Sequence, residues 1–456
     1  MSEIKSINPY TGELLKSYPS LNEPEIREKL ELSDQTYNNW KNTSFSERAE
    51  LMANAGQQLL KEKLKYANII SLEMGKVIKE SIAEVEKCAW VCDYYSKNAS
   101  EFLKDEPIDL PDGKKAKLSH EPLGTILAVM PWNFPFWQVF RFAAPTLMAG
   151  NTGLLKHASN VPQCSLAIEE VFERAGFPKG TFQSLLIDSK ATTQVISNPI
   201  IKAVTLTGSE KAGASVASEA GKNIKKAVLE LGGSDPFIVL KDADIPLAAE
   251  TAVKARMINN GQSCIAAKRF IIEEEVYFKF AELFSAKLKE LNSGDPLDEK
   301  SDYACMARAD LASELYYQVQ KSVKKGAKVL VGGIKPEEGT AFFNPTILTD
   351  IPSHSPAYSE ELFGPVANLF SVKNEDEAIR LANDSEFGLG SSIWTKDLKK
   401  GELLASKIES GAVFINSMVA SNPHLPFGGI KKSGFGRELG RYGILEFVNT
   451  KTVYLG

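Results

Sequence analysis

The 456-residue chain contains no unbroken apolar run of about 18 residues, the minimum for a membrane-spanning helix. Its most apolar stretch, FWQVFRFAAPTLMAG (136–150), is interrupted by Gln138 and Arg141. The opening residues, MSEIKSINPYTGELL, lack the charged start, apolar centre and small-residue cleavage site of a secretory signal, so the expected address is cytoplasmic and no membrane partner is expected. Cysteine is scarce. The five at 88, 92, 164, 264 and 305 are odd in number and without framework spacing, which argues against a disulfide scaffold and suits a reducing compartment. Histidine is scarcer still: there are four, none near the Cys88/Cys92 pair, so no metal site is expected. A concentration of positive charge is also missing. The net charge is −5 and the lysines are scattered, leaving no basic stripe for a nucleic acid. No internal repeat or low-complexity linker marks a domain boundary.

What is present is the composition of an ordinary soluble globular protein, 43% hydrophobic and 24% charged, at a length that implies two or three domains. The first hundred residues read as helices. TSFSERAELMANAGQQLLKEK opens with a capping-box pattern, Ser44 to Glu47, and then places Leu51, Ala55 and Leu59 on one face. From about residue 122 the texture changes to short apolar runs (GTILAVMP, TGLLKHA, TFQSLLI, AVTLTGS, PFIVL, RFIIEEE) separated by helical stretches. Strands alternating with helices predict βαβ units, parallel sheets and an α/β fold class. The segment 109–124, DLPDGKKAKLSHEPLG, reads as a polar hairpin turning at Asp112-Gly113, and the tail FVNTKTVYLG alternates like a lone strand. Neither is stable alone, so each needs a partner: the other, or a neighbouring subunit.

The chemistry is less direct. No G-x-G-x-x-G follows a predicted strand: GLGSSI (388–393) fails at its last position, and GSEKAG (208–213) lacks the Lys-Ser/Thr of a Walker loop. AVTLTGSEKAG still offers a strand, a Gly-Ser turn and a helix start whose backbone N–H groups suit an anion. Four further stretches each have two readings. In PWNFP, Asn133 is either a turn former or an amide donor stiffened by two prolines. In LELGGSDP, Glu230 is either a salt-bridged carboxylate or a base in an apolar run. In EELFGPV, Glu361 and Phe363 mark a helix end or a binding turn, and in NNGQSCIAAKR, Cys264 is a packed thiol or a nucleophile.

Taken together and in this order, these stretches resemble the aldehyde dehydrogenase superfamily over nearly the whole chain. The resemblance runs from NPYTGE at residue 8 through PWNFP, LLKHAS, TGSEKAG, LELGG, GQSC, EELFGPV, FIN and PFGGIKKSGFGRELG to the C-terminal strand. It is greatest to the succinate-semialdehyde dehydrogenases of the compact bacterial type. It implies an aldehyde dehydrogenase-like fold: a variant Rossmann cofactor domain over 1–108 and 125–229, an α/β catalytic domain over 230–425, and a small β oligomerisation element from 109–124 and 440–456. A homodimer or homotetramer is the implied assembly. Cys264 takes the position of the family nucleophile, Asn133 that of the oxyanion donor beside the Cys264 backbone N–H, and Glu230 that of the base that activates water against the thioester.

For the cofactor, the resemblance puts the nicotinamide half near Trp132, Leu231, Glu361 and Phe363, the pyrophosphate near Gly208 and Ser209, and the adenosine ribose near Lys156 and Ser159. The acidic residue that NAD-preferring relatives carry at the Ser159 position is missing. A small hydroxyl leaves room for a 2′-phosphate that Lys156 neutralises, so NADP is the preferred cofactor, with NAD possible. On residue type alone Arg141 is a snorkelling or salt-bridged arginine. The resemblance makes it, with Ser421, the clamp for the distal carboxylate of succinate semialdehyde, a small-molecule aldehyde substrate. There are two departures. Some relatives place a second arginine six residues before the nucleophile, where this chain has Ile258, and some place a redox cysteine two residues after it, where this chain has Ala266. No disulfide switch is therefore expected. The rivals are oxidation of another semialdehyde or an aliphatic aldehyde, a coenzyme A-dependent acylating enzyme, disfavoured by Glu230, and an idle structural or binding protein, which has no need of Cys264, Glu230 and Asn133 together.

Overall fold

The computed structural model describes residues 3–456. Two large sheets and one small one organise it. In the first, strands Phe182–Ser184, Thr152–His157, Thr125–Met130, Ile201–Thr207 and Lys226–Glu230 lie parallel in that spatial order, and Gly434–Phe435 returns antiparallel beside the last. These strands are apolar runs rather than alternating ones because both faces are covered. Ile126, Ala128, Leu155 and Ala203 enter one apolar cluster, while Leu127, Leu154, Val204 and Leu206 enter another on the opposite face. Thr125–Met130 is flanked by Thr152–His157 on one side and Ile201–Thr207 on the other. The chain leaves this strand's C-terminal end in one direction and later returns on the other side, which opens the crevice where doubly wound sheets take ligands.

The second sheet has seven strands in the order Lys328–Val331, Thr346–Thr349, Val366–Val372, Arg269–Glu273, Pro236–Val239, Gly390–Trp394 and Ala412–Ile415, parallel except for its first pair. Phe237, Val239, Phe270 and Ile272 pack on one face and Ile238, Ile271 and Ile393 on the other. The third is an antiparallel sheet of Glu106–Asp109, Lys115–Pro122 and Val448–Leu455. Its hairpin turns at Gly113, φ 80°, and begins at Glu106, upstream of the expected residue 109. The C-terminal strand pairs with it, from Val448 opposite Pro122 to Leu455 opposite Lys115.

The first hundred residues are not all helical. Glu3–Ile7 and Leu14–Pro19 form an antiparallel hairpin around the NPYTGE turn, where Asn8 Oδ1 accepts from the Tyr10 N–H and Gly12 takes φ 76°. Both strands are short and largely solvated, so they carry no apolar periodicity that distinguishes them from a loop. The helices Glu23–Trp40, Phe45–Lys61, Lys63–Met74 and Ile78–Phe102 follow, and the Ser44–Glu47 capping box forms with Ala55 and Leu59 fully buried. No helix of the described residues is long and apolar enough to cross a membrane. Among the described residues all five cysteines are free, with Cys88 and Cys92 packed in the core.

Candidate active site

The segments singled out by sequence converge at the C-terminal edge of the six-stranded sheet. Pro131, Trp132 and Asn133 follow its central strand, Gly208 and Ser209 follow Ile201–Thr207, and Glu230 ends Lys226–Glu230. Cys264 arrives from the other large sheet, on the turn before Arg269–Glu273. The chain ahead of it is contorted. Asn259 and Asn260 both adopt φ 54° and Gly261 φ 76°, and a Cβ on Gly261 would fall 2.4 Å from the Gly364 carbonyl carbon. Side-chain amides hold this shape: Asn259 Nδ2 donates to the carbonyls of Asn133 (2.6 Å) and Gln262 (3.1 Å), and Asn260 Nδ2 to that of Cys305 (2.7 Å).

Sequence reasoning missed the residue that ties down the cysteine loop. Lys268 is fully buried and donates to the carbonyls of Ser263 (2.9 Å), Cys264 (2.9 Å) and Ala266 (3.1 Å), while facing Glu361 at 3.2 Å. Its only signal was a lysine at the end of an otherwise apolar IAA run. Burial pushes the Cys264 thiol up to about 12, with Arg141 and Lys268 pulling it back. The resting group is therefore a thiol, and a thiolate needs further positive charge beside it.

Cys264 lies on the walls of two cavities, of about 210 Å³ and about 260 Å³. The first runs between the helices Ile78–Phe102 and Trp137–Met148 and includes Arg141, Ile258 and Ser421. The second is lined by Trp132, Asn133, Gly208, Ser209, Leu231, Glu361 and Phe363. Asn133 donates from Nδ2 to the Gln262 carbonyl (3.0 Å) and accepts from Gln138 Nε2 (3.1 Å), which fixes its amide plane and leaves its second N–H free of those contacts. Gln138 lines both cavities.

In the second cavity, the Trp132 and Phe363 rings meet edge to face at 5.9 Å. Glu361 Oε1 accepts from the Gly233 N–H (3.1 Å), and a Cβ on Gly232 would fall 2.4 Å from Glu361 Oε2, so a side chain there would displace the carboxylate from its present position. Ser209 caps the 13-residue helix Glu210–Lys222, whose start faces this crevice as an anion site. A dinucleotide fits these features: aromatic edges, a helix start and a carboxylate for ribose hydroxyls. Lys156 and Ser159 lie outside that cavity's wall, at the end of the neighbouring strand Thr152–His157. Burial lowers the Lys156 ammonium, and Ser159 is exposed.

Glu230 lines neither cavity. It is 2% exposed, both oxygens lack a hydrogen-bond partner, and a Cβ on Gly428 would fall 2.7 Å from its Oε1. Burial holds its carboxyl well above the usual carboxylate range, and nearby Glu438 raises it further. Arg141 is ion-paired with Glu438, donates to Thr207 Oγ1 (3.3 Å) and stacks over the Phe427 ring at 4.6 Å. The salt-bridged alternative for Arg141 is thus realised while the residue also lines the first cavity. Ser421 Oγ accepts from Trp137 Nε1 (3.0 Å) and from Lys87 Nζ (2.8 Å), a second residue that sequence reasoning passed over. Among the described residues no group of three His, Cys, Asp or Glu side chains is placed to hold a metal ion.

A probable succinate-semialdehyde dehydrogenase (NADP+) of Synechocystis sp. is 51% identical over 452 residues, 99% of each chain. Succinate-semialdehyde dehydrogenase (NADP+) 1 of Mycobacterium tuberculosis is 48% identical over 455 residues, again 99% of each. The crystal structure of succinic semialdehyde dehydrogenase from Streptococcus pyogenes in complex with NADP+ superposes with a TM-score of 0.97 at 38% identity, covering 99% of both chains. The sequence model of the aldehyde dehydrogenase family matches residues 1–453, and the chain belongs to that family.

Proposed function

We propose that the chain oxidises succinate semialdehyde to succinate with NADP+. The position of Cys264 between two cavities carries the assignment, because the reaction needs a nucleophile that reaches an aldehyde on one side and a hydride acceptor on the other. Cys264 Sγ gives up its proton to solvent and adds to the aldehyde carbon, and the oxyanion accepts from the Asn133 amide and the Cys264 backbone N–H. Trp132, Gly208, Ser209, Leu231, Glu361 and Phe363 would hold NADP+ along the second cavity, and the bound cofactor would supply the hydride acceptor. Collapse of the oxyanion leaves a thioester on Cys264. Glu230 swings from its pocket beside Glu438 and Gly428 to take a proton from the attacking water, and its raised proton affinity suits it to that work. The acid then leaves and the Cys264 thiolate takes up the proton that Glu230 received from water. Lys156 and Ser159 are proposed for the ribose 2′-phosphate, and the first cavity, whose wall includes Arg141 and Ser421, for the distal acid.

The first large sheet with its helices is proposed as the cofactor domain, the second as the catalytic domain and the three-stranded sheet as the contact of a homo-oligomer. A reducing cytoplasm suits five free cysteines. Initial rates on a panel of aldehydes with NADP+ and NAD+, followed at the reduced-nicotinamide band, test the proposal. The highest kcat/KM is expected for succinate semialdehyde with NADP+, and Cys264→Ala is expected to form no NADPH. The Glu438 partner of Arg141 favours a second reading, oxidation of a neutral aliphatic aldehyde, which equal kcat/KM values on butanal and succinate semialdehyde would identify.

A further inference from the structure

The first cavity is mostly apolar, yet three charged side chains besides Arg141 reach its wall: Glu80, Glu84 and Lys87. Both acids are occupied. Glu84 Oε2 pairs with Lys76, Glu84 Oε1 accepts from the backbone N–H groups of Phe136 (2.8 Å) and Trp137 (3.0 Å), and both Glu80 oxygens accept from the Asn259 N–H (3.2 and 3.0 Å). Arg141 is occupied as well, its charge answered by Glu438 and one of its nitrogens engaged by Thr207. Lys87 differs from all of these. Among the described residues no carboxylate stands within ion-pair distance of it, and its partners are the Ser421 hydroxyl at 2.8 Å and the face of Trp137 at 4.4 Å.

We propose that Lys87, rather than Arg141, is the principal cation for the distal carboxylate of the substrate, acting together with the Ser421 hydroxyl. The assignment rests on the semialdehyde reading above and names the residue that gives it specificity. Ser421 Oγ already accepts from Lys87 Nζ and Trp137 Nε1, so its own proton is directed to a further acceptor. An acid group beside Lys87 accepts from that hydroxyl and from the ammonium, while the aldehyde end of the same small molecule meets Cys264 on the same cavity wall. The position of Ile258, which lines this cavity as an apolar residue, removes the other site from which a cation reaches it in some relatives. Burial and the neighbouring Arg141 push the Lys87 ammonium down to about 8, as befits a cation held without a counter-charge until substrate supplies one.

The test is the ratio of kcat/KM on succinate semialdehyde to kcat/KM on butanal, which has the same carbon count and no acid. The ratio cancels effects on Cys264, Glu230 and cofactor binding. In Lys87→Met it is expected to fall about 10- to 100-fold, the loss of a charge-assisted hydrogen bond in a partly dry site. In Lys87→Arg, which keeps the charge, it is expected to recover most of that loss. Inhibition of butanal oxidation by succinate should weaken in Lys87→Met by a similar factor. A wild-type preference for the acid-bearing aldehyde that survives in Lys87→Met overturns the Lys87 assignment and leaves the substrate reading standing. A wild-type ratio near one overturns the substrate reading itself. Loss of turnover on both aldehydes in Lys87→Met and Lys87→Gln alike makes Lys87 a structural residue and also overturns the assignment.

Discussion

At Cys264 and Glu230 the two halves of the reaction separate. The cysteine lies where both cavities meet, whereas the carboxyl is tucked beside Glu438 and lines neither. If Glu230 serves only hydrolysis, Glu230→Gln releases about one equivalent of NADPH per site in a rapid-mixing burst and then turns over very slowly. Steady turnover at the full rate would remove it from the mechanism. Lys87 makes a second residue-scale prediction, through pH. Its ammonium is faced by Glu84 and Cys88 on its own helix, by Lys76 from the preceding loop and by Arg141 from the helix Trp137–Met148. Its pKa is lowered to about 8, so the charge is present below that pH and is lost above it, while the substrate acid stays ionised throughout. The ratio of kcat/KM values on succinate semialdehyde and butanal, which reports the free enzyme, is therefore expected to be flat to about pH 8 and to fall above it. The falling limb should vanish in Lys87→Met, and a limb retained there would assign it to another group.

Elements differed in how openly the sequence declared them. The buried parallel strands were legible as apolar runs, and the helix Phe45–Lys61 by its capping box, because both signals are local. The hairpin Glu3–Pro19 was not, since its strands face solvent and owe their pairing to a turn. Cys264, Asn133, Glu361 and Phe363 could be singled out because resemblance supplied their roles, but Lys87, Lys268 and Glu438 look like any surface charge until the fold brings up their partners. Lys87 meets Ser421 and Arg141 meets Glu438 across some 300 residues of chain, and no spacing rule reaches that far. The helix Trp137–Met148, which carries Arg141 and Gln138, depends on another such long-range contact. Glu84 from the helix Ile78–Phe102 caps its first N–H groups and also neutralises Lys76, with both side chains almost fully buried. Glu84→Ala would leave the Lys76 charge buried and unpaired, at a cost of about 3 to 5 kcal/mol. Urea unfolding is expected to show an unfolding free energy lower by that amount, read from midpoint and slope together, and a loss under about 1 kcal/mol would mean that water reaches Lys76.

For the whole molecule, the question is what the three-stranded sheet does, since it carries no residue of either cavity wall. Its central strand Lys115–Pro122 is paired on both sides, but the outer strand Val448–Leu455 leaves one edge open and exposes Tyr454 and Leu455, each more than half accessible. A sheet of this size with an open edge is a marginal structure alone and a ready template for another chain. Removing residues 448–456 strips Lys115–Pro122 of a partner along its whole length and leaves a two-stranded hairpin. The cut falls just after Phe447, whose carbonyl accepts from Asn151 Nδ2 at 2.9 Å, and removes no residue of either cavity wall. If this sheet builds the assembly, sedimentation velocity should show the shortened chain at the mass of a single copy, near 50 kDa, where the full chain runs at a multiple of it. The burst of NADPH per site should persist, because Cys264 and its surroundings belong to the two larger sheets. A shortened chain that keeps the full assembly mass would show that the subunits meet elsewhere, and loss of the burst together with the mass would show that the two cavities are shaped only within the assembly.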